Sequence, residues 1–455
     1  MTIRLPGLPL LFVALLGLSA CVEPPPTPVK WQTGFWYWHD NAAEAAPATA
    51  VPDVLFFHVG AIWKYASRNQ PDTGEVSGIL PASLPAAREY WLVFRDEQPG
   101  VPDVSAAVPL ARRISSLLLD ARRRHLNVVG IQLDIDSPTA ALPRYADFLR
   151  EVRKGMPAGL RLSITALLDW FRDGTSIAAV VEQSDEFVPQ FYDVASARHT
   201  EPWSAIASKI DAALWAPKFR RLKKPFRIGI ATFGRARFVP APDPSRQAYA
   251  GLRLFGDLTP LDVAGNPDFN LQVSHNDAGE LILTYLPARN THLGNNDFRP
   301  GATLNFIIAT PDSIRAAVEG ARRMGANCAG VLFFRWPASN ESLVMEPDET
   351  WIAAGLAPPR RQLARIEWVD GYCAAVSCAD LWLVTAGAFS DRTLRYRIRA
   401  SSELEYFMPE EKIPVRMTGP STLELTLPPW AGRSRILLGR AVSATRTEFQ
   451  VEEEP

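Results

Sequence analysis

Eight short apolar runs, rich in aromatic residues, recur along the first three quarters of the chain. They are "TGFWYWH" (33–39), "DVLFFHVG" (53–60), "EYWLVFRDE" (89–97), "VVGIQLDID" (128–136), "LRLSITALLDW" (160–170), "EFVPQFYDV" (186–194), "FRIGIATFGR" (226–235) and "AGVLFFRWP" (329–337). Near-continuous apolar runs of this length suit strands covered on both faces, as in a parallel sheet flanked by helices. Segments 106–125, 142–155, 203–215 and 310–325 lie between the runs and carry apolar residues at helical spacing. The last offers Thr310 or Asp312 as an N-cap and Gly325 as a stop. Strands alternating with helices predict a parallel sheet, and eight of them predict its closure into a (β/α)8 TIM barrel. The alternative is an open doubly wound sheet. No glycine-rich loop follows the first run, where a nucleotide-binding version would need one.

Two departures from a regular barrel stand out. The connection after the first run is short and alanine-rich, so its helix is expected to be stunted. Roughly 75 residues separate the seventh run from the 310–325 helix, far beyond an ordinary connection. Within them, "FNLQVSHNDAGELILTYL" (269–286) reads as two alternating strands around a turn at Asn276–Gly279. This predicts a β-hairpin insertion between strands 7 and 8, on the active-site face. The barrel is expected over 31–358. Beyond the linker "APPRRQ", alternating stretches such as "ARIEWVD", "DLWLVTAG", "LRYRIRASS" and "TLELTLPP" predict a C-terminal antiparallel β-sandwich over 359–455. With no evident exposed aromatic platform, the sandwich is expected to be structural.

The N-terminus predicts export. "MTIRLPGLPLLFVALLGLSAC" has Arg4, an apolar stretch of signal-peptide length and small residues before Cys21. It is too short and wrongly flanked for a lasting membrane span. "LSAC" resembles a bacterial lipobox, which implies cleavage before Cys21, lipidation of that residue and a signal peptide over 1–21. Val22 in the next position, rather than aspartate, points to the outer membrane and a periplasm-facing body. The proline-rich 22–30 is then an extended tether. Cys373 and Cys378, five apart in "GYCAAVSCADLW", have a spacing that a disulfide across a short loop can bridge in an oxidising compartment. Cys328 reads as a small buried residue. Six histidines without paired Cys/His spacing give no metal site, and no cofactor is implied. Net charge −1, pI about 6.6 and the lack of a basic tract exclude the usual footprint of a nucleic-acid binder.

Two carboxylates end the fourth run. Alternation in "GIQLDID" turns Ile131, Leu133 and Ile135 toward the helices and Gln132, Asp134 and Asp136 toward the barrel axis. Polar residues at the C-terminal ends of barrel strands read as catalytic. Burial of two like charges together should raise one of their pKa values. The structural alternative is that Asp136 caps the following helix and Asp134 pairs with an arginine. By the same alternation Ser163, Thr165 and Leu167 face inward and place Asp169 at the mouth, unless it serves as a helix cap or in a salt bridge. Asp193 is a weaker candidate, turned away when Tyr192 points in, and Glu341 is a loop carboxylate able to donate a proton.

"GIQLDIDSP" resembles the fourth-strand signature of chitinase-type family 18 glycoside hydrolases, in which alternating aspartates end in a catalytic glutamate. "PQFYDV" (189–194) resembles the sixth-strand segment with an inward tyrosine, here Tyr192. "IGIATFGR" (228–235) resembles the seventh-strand segment ending in Gly-Arg. "VLFFRWP" (331–337) resembles the eighth strand, whose tryptophan floors a sugar subsite, here Trp336. The resemblance covers roughly residues 31–350 at the level of topology and motifs. The whole chain more closely resembles a group of bacterial lipoproteins, domain of unknown function family 3142, a label that implies no activity. One departure matters: Pro138 stands where the family's acid glutamate belongs, and proline donates no proton.

The sequence therefore predicts an envelope lipoprotein with a glycosidase-like barrel that hydrolyses or binds a poly- or oligosaccharide. The alternative is an inactive glycan-binding or scaffold lipoprotein. Asp136 and Asp169 are the expected chemical pair, with Asp134 tuning Asp136. A direct pair needs its carboxyls about 5 Å apart for retention or up to roughly 9.5 Å for inversion. Tyr192, Trp336, Gln190, His58, Arg235, Arg335 and Trp38 are the expected sugar contacts, since aromatic faces stack on sugar rings and polar groups bind hydroxyls. The chain is expected to act as a monomer.

Overall fold

The structure, a computed structural model, describes the chain outside residues 1–29, 40–47, 68–69, 98–99, 193–205, 242–252, 256–257, 295, 339–340, 342, 359–362, 374–375, 387–391, 411–412, 430–433 and 455. The signal peptide, the tether and Cys21 therefore lie outside the described residues, as does Asp193.

All eight runs form strands: β1 (Gln32–Tyr37), β2 (Val54–Ser67), β3 (Glu89–Asp96), β4 (Val128–Asp134), β5 (Arg161–Leu167), β6 (Glu186–Gln190), β7 (Phe226–Ala231) and β8 (Cys328–Phe334). Each pairs in parallel with its sequence neighbour from β2 through β7, β7 pairs with β8, and β8 and β2 both pair with β1. The sheet is a closed barrel. Helices α1 (Ala107–Arg123), α2 (Leu142–Gly155), α3 (Ile177–Glu182), α4 (Ala212–Arg220) and α5 (Pro311–Arg322) lie between successive strands from β3 onward, and α6 (Pro347–Ala353) follows β8. The helix expected over 203–215 starts only at Ala212. Asp211 ends the preceding extended backbone by accepting from the amides of Ala213 and Leu214, which fixes the start by capping rather than by apolar spacing. Among the described residues no helix joins β2 to β3; β2 instead runs on into an antiparallel hairpin with Gln70–Val76.

Alternation divides the barrel side chains into two layers. Phe35, Leu55, Leu92, Ile131, Leu133, Ile164 and Val331 join the core between sheet and helices. Trp36, Phe56, Trp91, Val93, Val188 and Leu332 form a separate core inside the barrel. Two glycines make room for the rings: a Cβ on Gly130 would lie 2.3 Å from the Trp91 ring, and one on Gly229 would lie 3.0 Å from Trp36 and 3.1 Å from Tyr192. At the N-terminal end the interior is closed by a buried ion pair, Arg227 of β7 with Glu186 of β6. Gln32 of β1 also accepts from Arg227, at 2.6 Å.

The insertion is larger than a hairpin. The expected strands form, Phe269–His275 against Leu281–Pro287, with Gly279 at φ 80° closing the turn. They belong to a five-stranded antiparallel sheet completed by Thr303–Ile308, Arg235–Val239 and Arg253–Phe255. The extra strands are short or irregularly patterned, so their pairing depends on long-range partners rather than local alternation. The C-terminal region is a sandwich of two four-stranded antiparallel sheets around one core, and Leu261 of the insertion packs against both this core and that of the barrel. Cys373, in the loop after the first sandwich strand, forms a disulfide with Cys378 at the start of the second. Burial pushes the Cys328 thiol up to about 11.

Candidate functional site

The C-terminal mouth of the barrel gathers polar side chains from neighbouring strands. Gln132, fully buried, sets the layer beneath: its side-chain oxygen accepts from Trp36 Nε1 at 2.7 Å and its Nε2 donates to Ser163 Oγ at 3.1 Å. One layer up, Asp134 Oδ1 accepts from Thr165 Oγ1 at 2.8 Å. Gln190 also bonds this carboxyl, and Arg95 is the register partner of Asp134 in β3. The residue keeps partial exposure toward the mouth, but its carboxyl lies deep enough for burial to push it above the usual aspartate range. Arg95 opposes that most, then the bonds from Thr165 and Gln190, while Glu97 adds to it.

Asp136 lies past the end of β4. Ile135 still packs in the outer core, so alternation holds through it and Asp136 emerges exposed. The loop beyond is anchored: Trp170 Nε1 donates to the Ser137 carbonyl at 2.8 Å. Exposed Pro138 then opens a single 3-10 turn over Thr139–Ala141. Behind the strand, Tyr145 of α2 is fully buried. Burial, with the charges of Asp134, Asp136 and Asp96, holds its hydroxyl proton well above the usual tyrosine range.

Aromatic rings line the opposite side. Tyr192 stacks on Phe334 with centroids 5.1 Å apart and planes 15° from parallel, and it meets Trp36 edge-on at 6.0 Å. Half-buried Trp38 packs against His58 at 5.2 Å and Phe334 at 5.8 Å. Trp38, His58, Gln190 and Tyr192 therefore converge with Asp134 at this end of the barrel. Arg235 lies over Phe233, which itself contacts Tyr192.

Three expectations about position need correction. Asp169 does not point into the barrel. β5 ends at Leu167, and residues 168–171 form a 3-10 turn that buries Trp170 and leaves Asp169 exposed, paired with Arg172 at 2.7 Å. The alternation that aimed it inward has stopped two residues earlier. Trp336 does not floor the barrel interior. It is 2% exposed and packs edge-on against Phe35 in the outer core, while Phe334 takes the inward place on β8. Arg335 pairs with Glu341, which also accepts from the Ala338 amide at 2.9 Å and lies 3.9 Å from His39. Glu341 is thus a loop-fixing carboxylate, which accounts for both residues structurally.

Arg95 and Thr165 were not singled out from sequence, although Thr165 shares the inward register used to argue for Asp169. Glu280 was also missed, and it is the most completely engaged carboxylate of the insertion. Among the described residues no cluster of three or more His, Cys, Asp or Glu is arranged to hold a metal ion.

Comparison with known proteins places part of the chain. Residues 98–257 match the profile of a domain of unknown function, DUF3142. No curated protein matches the chain. Similar solved structures include the spore cortex-lytic enzyme SleL of Bacillus cereus, 14% identical, with 73% of this chain and 76% of that one covered and a TM-score of 0.45. A chitinase from Chromobacterium violaceum is 13% identical, with 73% and 100% covered and a TM-score of 0.43. A family 18 chitinase from Cycas revoluta, solved as a mutant with (GlcNAc)4, is 14% identical, with 71% and 98% covered and a TM-score of 0.42. The barrel assignment rests on the strand order itself.

Proposed function

We propose that the C-terminal mouth of the barrel is a carbohydrate site, and that the protein is an envelope lipoprotein that binds a poly- or oligosaccharide there. One observation supports this above others: the ring of half-buried Trp38, backed by Phe334 and Tyr192, shares a mouth with the hydrogen-bonding set Asp134, Thr165, Gln190 and Arg95. A sugar presents an apolar face bordered by hydroxyls, and an aromatic wall beside planar polar groups complements both. His58 beside Trp38 extends the polar rim. In this reading Cys21 carries the lipid, the proline-rich segment spaces the barrel from the outer membrane, and the body faces the periplasm.

Hydrolysis is the second reading. It is favoured by Asp134, an inward carboxyl at the barrel mouth that burial shifts in the direction a general acid needs. Asp136 is the exposed carboxylate two residues away. Asp169 is exposed and paired with Arg172, and Pro138 offers no acid.

The test is retention of the protein on a panel of immobilised polysaccharides that includes chitin and peptidoglycan, with product analysis on the same samples. Wild type should be retained by at least one glycan, with Trp38→Ala and Asp134→Asn weakened at least tenfold. Retention by none, or equal retention of all three proteins, refutes the site. Release of soluble sugar by wild type and not by Asp134→Asn moves the conclusion to hydrolysis.

A further inference from the structure

We infer that Glu280, on the turn of the insertion hairpin, is a positioning residue that sets the aromatic wall of the mouth by clamping the segment bridged to Tyr192; the inference rests on the reading of that mouth as a carbohydrate site. Glu280 is fully buried. An ionisable group in that position is costly unless its oxygens are engaged, and these are. Oε2 accepts from the Ile206 amide at 2.9 Å and from Asn276 Nδ2 at 2.7 Å, and Oε1 accepts from the Ala207 amide at 2.9 Å. Arg237, 1% exposed on the Arg235–Val239 strand of the same sheet, contributes the nearby positive charge.

What the clamp holds lies at the mouth. Ala207 forms an antiparallel bridge with Tyr192, and the Ser208 amide donates to the Phe191 carbonyl at 2.9 Å. Ile206 is buried in the barrel's inner core together with Tyr192 and Phe233. Residues 206–208 are thus laid along the end of β6, and two consecutive amides aimed at one carboxylate fix their orientation. The clamp is anchored on its other side as well. Thr310, the N-cap of α5, donates through Oγ1 to the Gly279 carbonyl at 2.7 Å, and α5 leads into β8 and Phe334. Tyr192 is therefore tied to the turn through residues 206–208, and the turn is itself fixed by the start of α5. An apolar residue at 280 would fill the space without the burial cost. A carboxylate gives each of the two amides its own acceptor oxygen.

Hydrogen exchange on the full chain tests this without requiring a known ligand. In Glu280→Ala, amides in 206–208 and 190–192 should exchange at least tenfold faster, with 128–134 unchanged; Glu280→Gln, which keeps one acceptor oxygen, should be intermediate. Acceleration confined to 276–287 would overturn the inference, because Glu280 would then support only its own hairpin. If Glu280→Ala does not fold, Glu280→Gln decides by the same criterion. A second arm titrates an N-acetylglucosamine tetramer, for which tenfold weaker binding by Glu280→Ala is expected. Unchanged affinity against a binding wild type refutes the positioning role. Failure of wild type to bind counts against that sugar as the ligand and leaves the exchange criterion in force.

Discussion

Replacement of Arg227 by methionine should separate the physics of the barrel floor from that of its mouth. Arg227 is 1% exposed and Glu186 4%, and each is the other's ionic partner. The guanidinium lies 5.8 Å from the ring centroids of both Phe56 and Trp91. Methionine keeps most of that volume and its contact with the rings, so packing changes little. What remains is a carboxylate with no counter-charge in a desolvated interior, and breaking one half of such a pair costs about 3–5 kcal/mol. Gln32 is half-buried, so water replaces the hydrogen bond it loses. Urea unfolding followed by tryptophan fluorescence should show the barrel transition shifted by that amount with its slope unchanged. The double variant Arg227→Met with Glu186→Leu should recover most of the loss, since no charge is then stranded. Retention on polysaccharide should be unaffected in both. A cost below about 1 kcal/mol for the single variant would refute the reasoning, because it would mean that Glu186 is solvated after all.

Three further outcomes follow from geometry. Asp134 titrates above its ordinary range when folded, so the folded chain holds that proton more tightly than the unfolded chain. Its contribution to stability is thus fullest below the ordinary aspartate value and is lost as pH rises through the raised one. Asp134→Asn should therefore gain stability relative to wild type as pH rises above the ordinary aspartate range, read from urea midpoints; a relative loss as pH rises contradicts the assignment. Gly130→Ala should cost about 1–3 kcal/mol or more, because its Cβ meets a Trp91 ring already stacked on Phe56 at 4.9 Å; thermal unfolding within about 0.5 kcal/mol of wild type would show that the ring can move. Cys21→Ser should abolish acylation and release the protein from the membrane fraction, which intact mass and fractionation measure; membrane retention without a lipid adduct would exclude the anchor.

The barrel was readable because each of its strands is a dense apolar run, and burial on both faces leaves no other use for such runs. Within a strand the period of two was equally informative: Gln132 and Asp134 point inward as alternation requires. The errors fall where a strand ends. The error at Asp169 follows from extending a register past Leu167, where a 3-10 turn ends it, and that at Trp336 follows from the resemblance of the eighth run, whose chain swings outward after Phe334. Strand termini depend on what the next element buries, here Trp170 and the Phe35 contact, and that is set in three dimensions. Glu280 and the Arg227–Glu186 pair were missed for a related reason, since their partners lie in distant segments. A faint signal existed for the pair: Glu186 and Arg227 are charges of opposite sign at the starts of two otherwise apolar runs that become neighbouring strands.

Pro138 has a consequence for how easily this mouth could change. Its backbone, at φ −57° and ψ 140°, is one that any residue adopts, and its side chain faces water. The residues before it are held without its side chain, Ser137 by the Trp170 indole and by donating to the Pro138 backbone carbonyl at 3.1 Å, and Asp134 by Thr165. Proline therefore contributes stiffness here, worth about 0.4–1 kcal/mol through the unfolded chain, and no contact that the rest of the mouth relies on. The mouth's contacts do not run through the side chain at this position, so the stiffness of the loop can be set there by one residue, with no strand to re-lay.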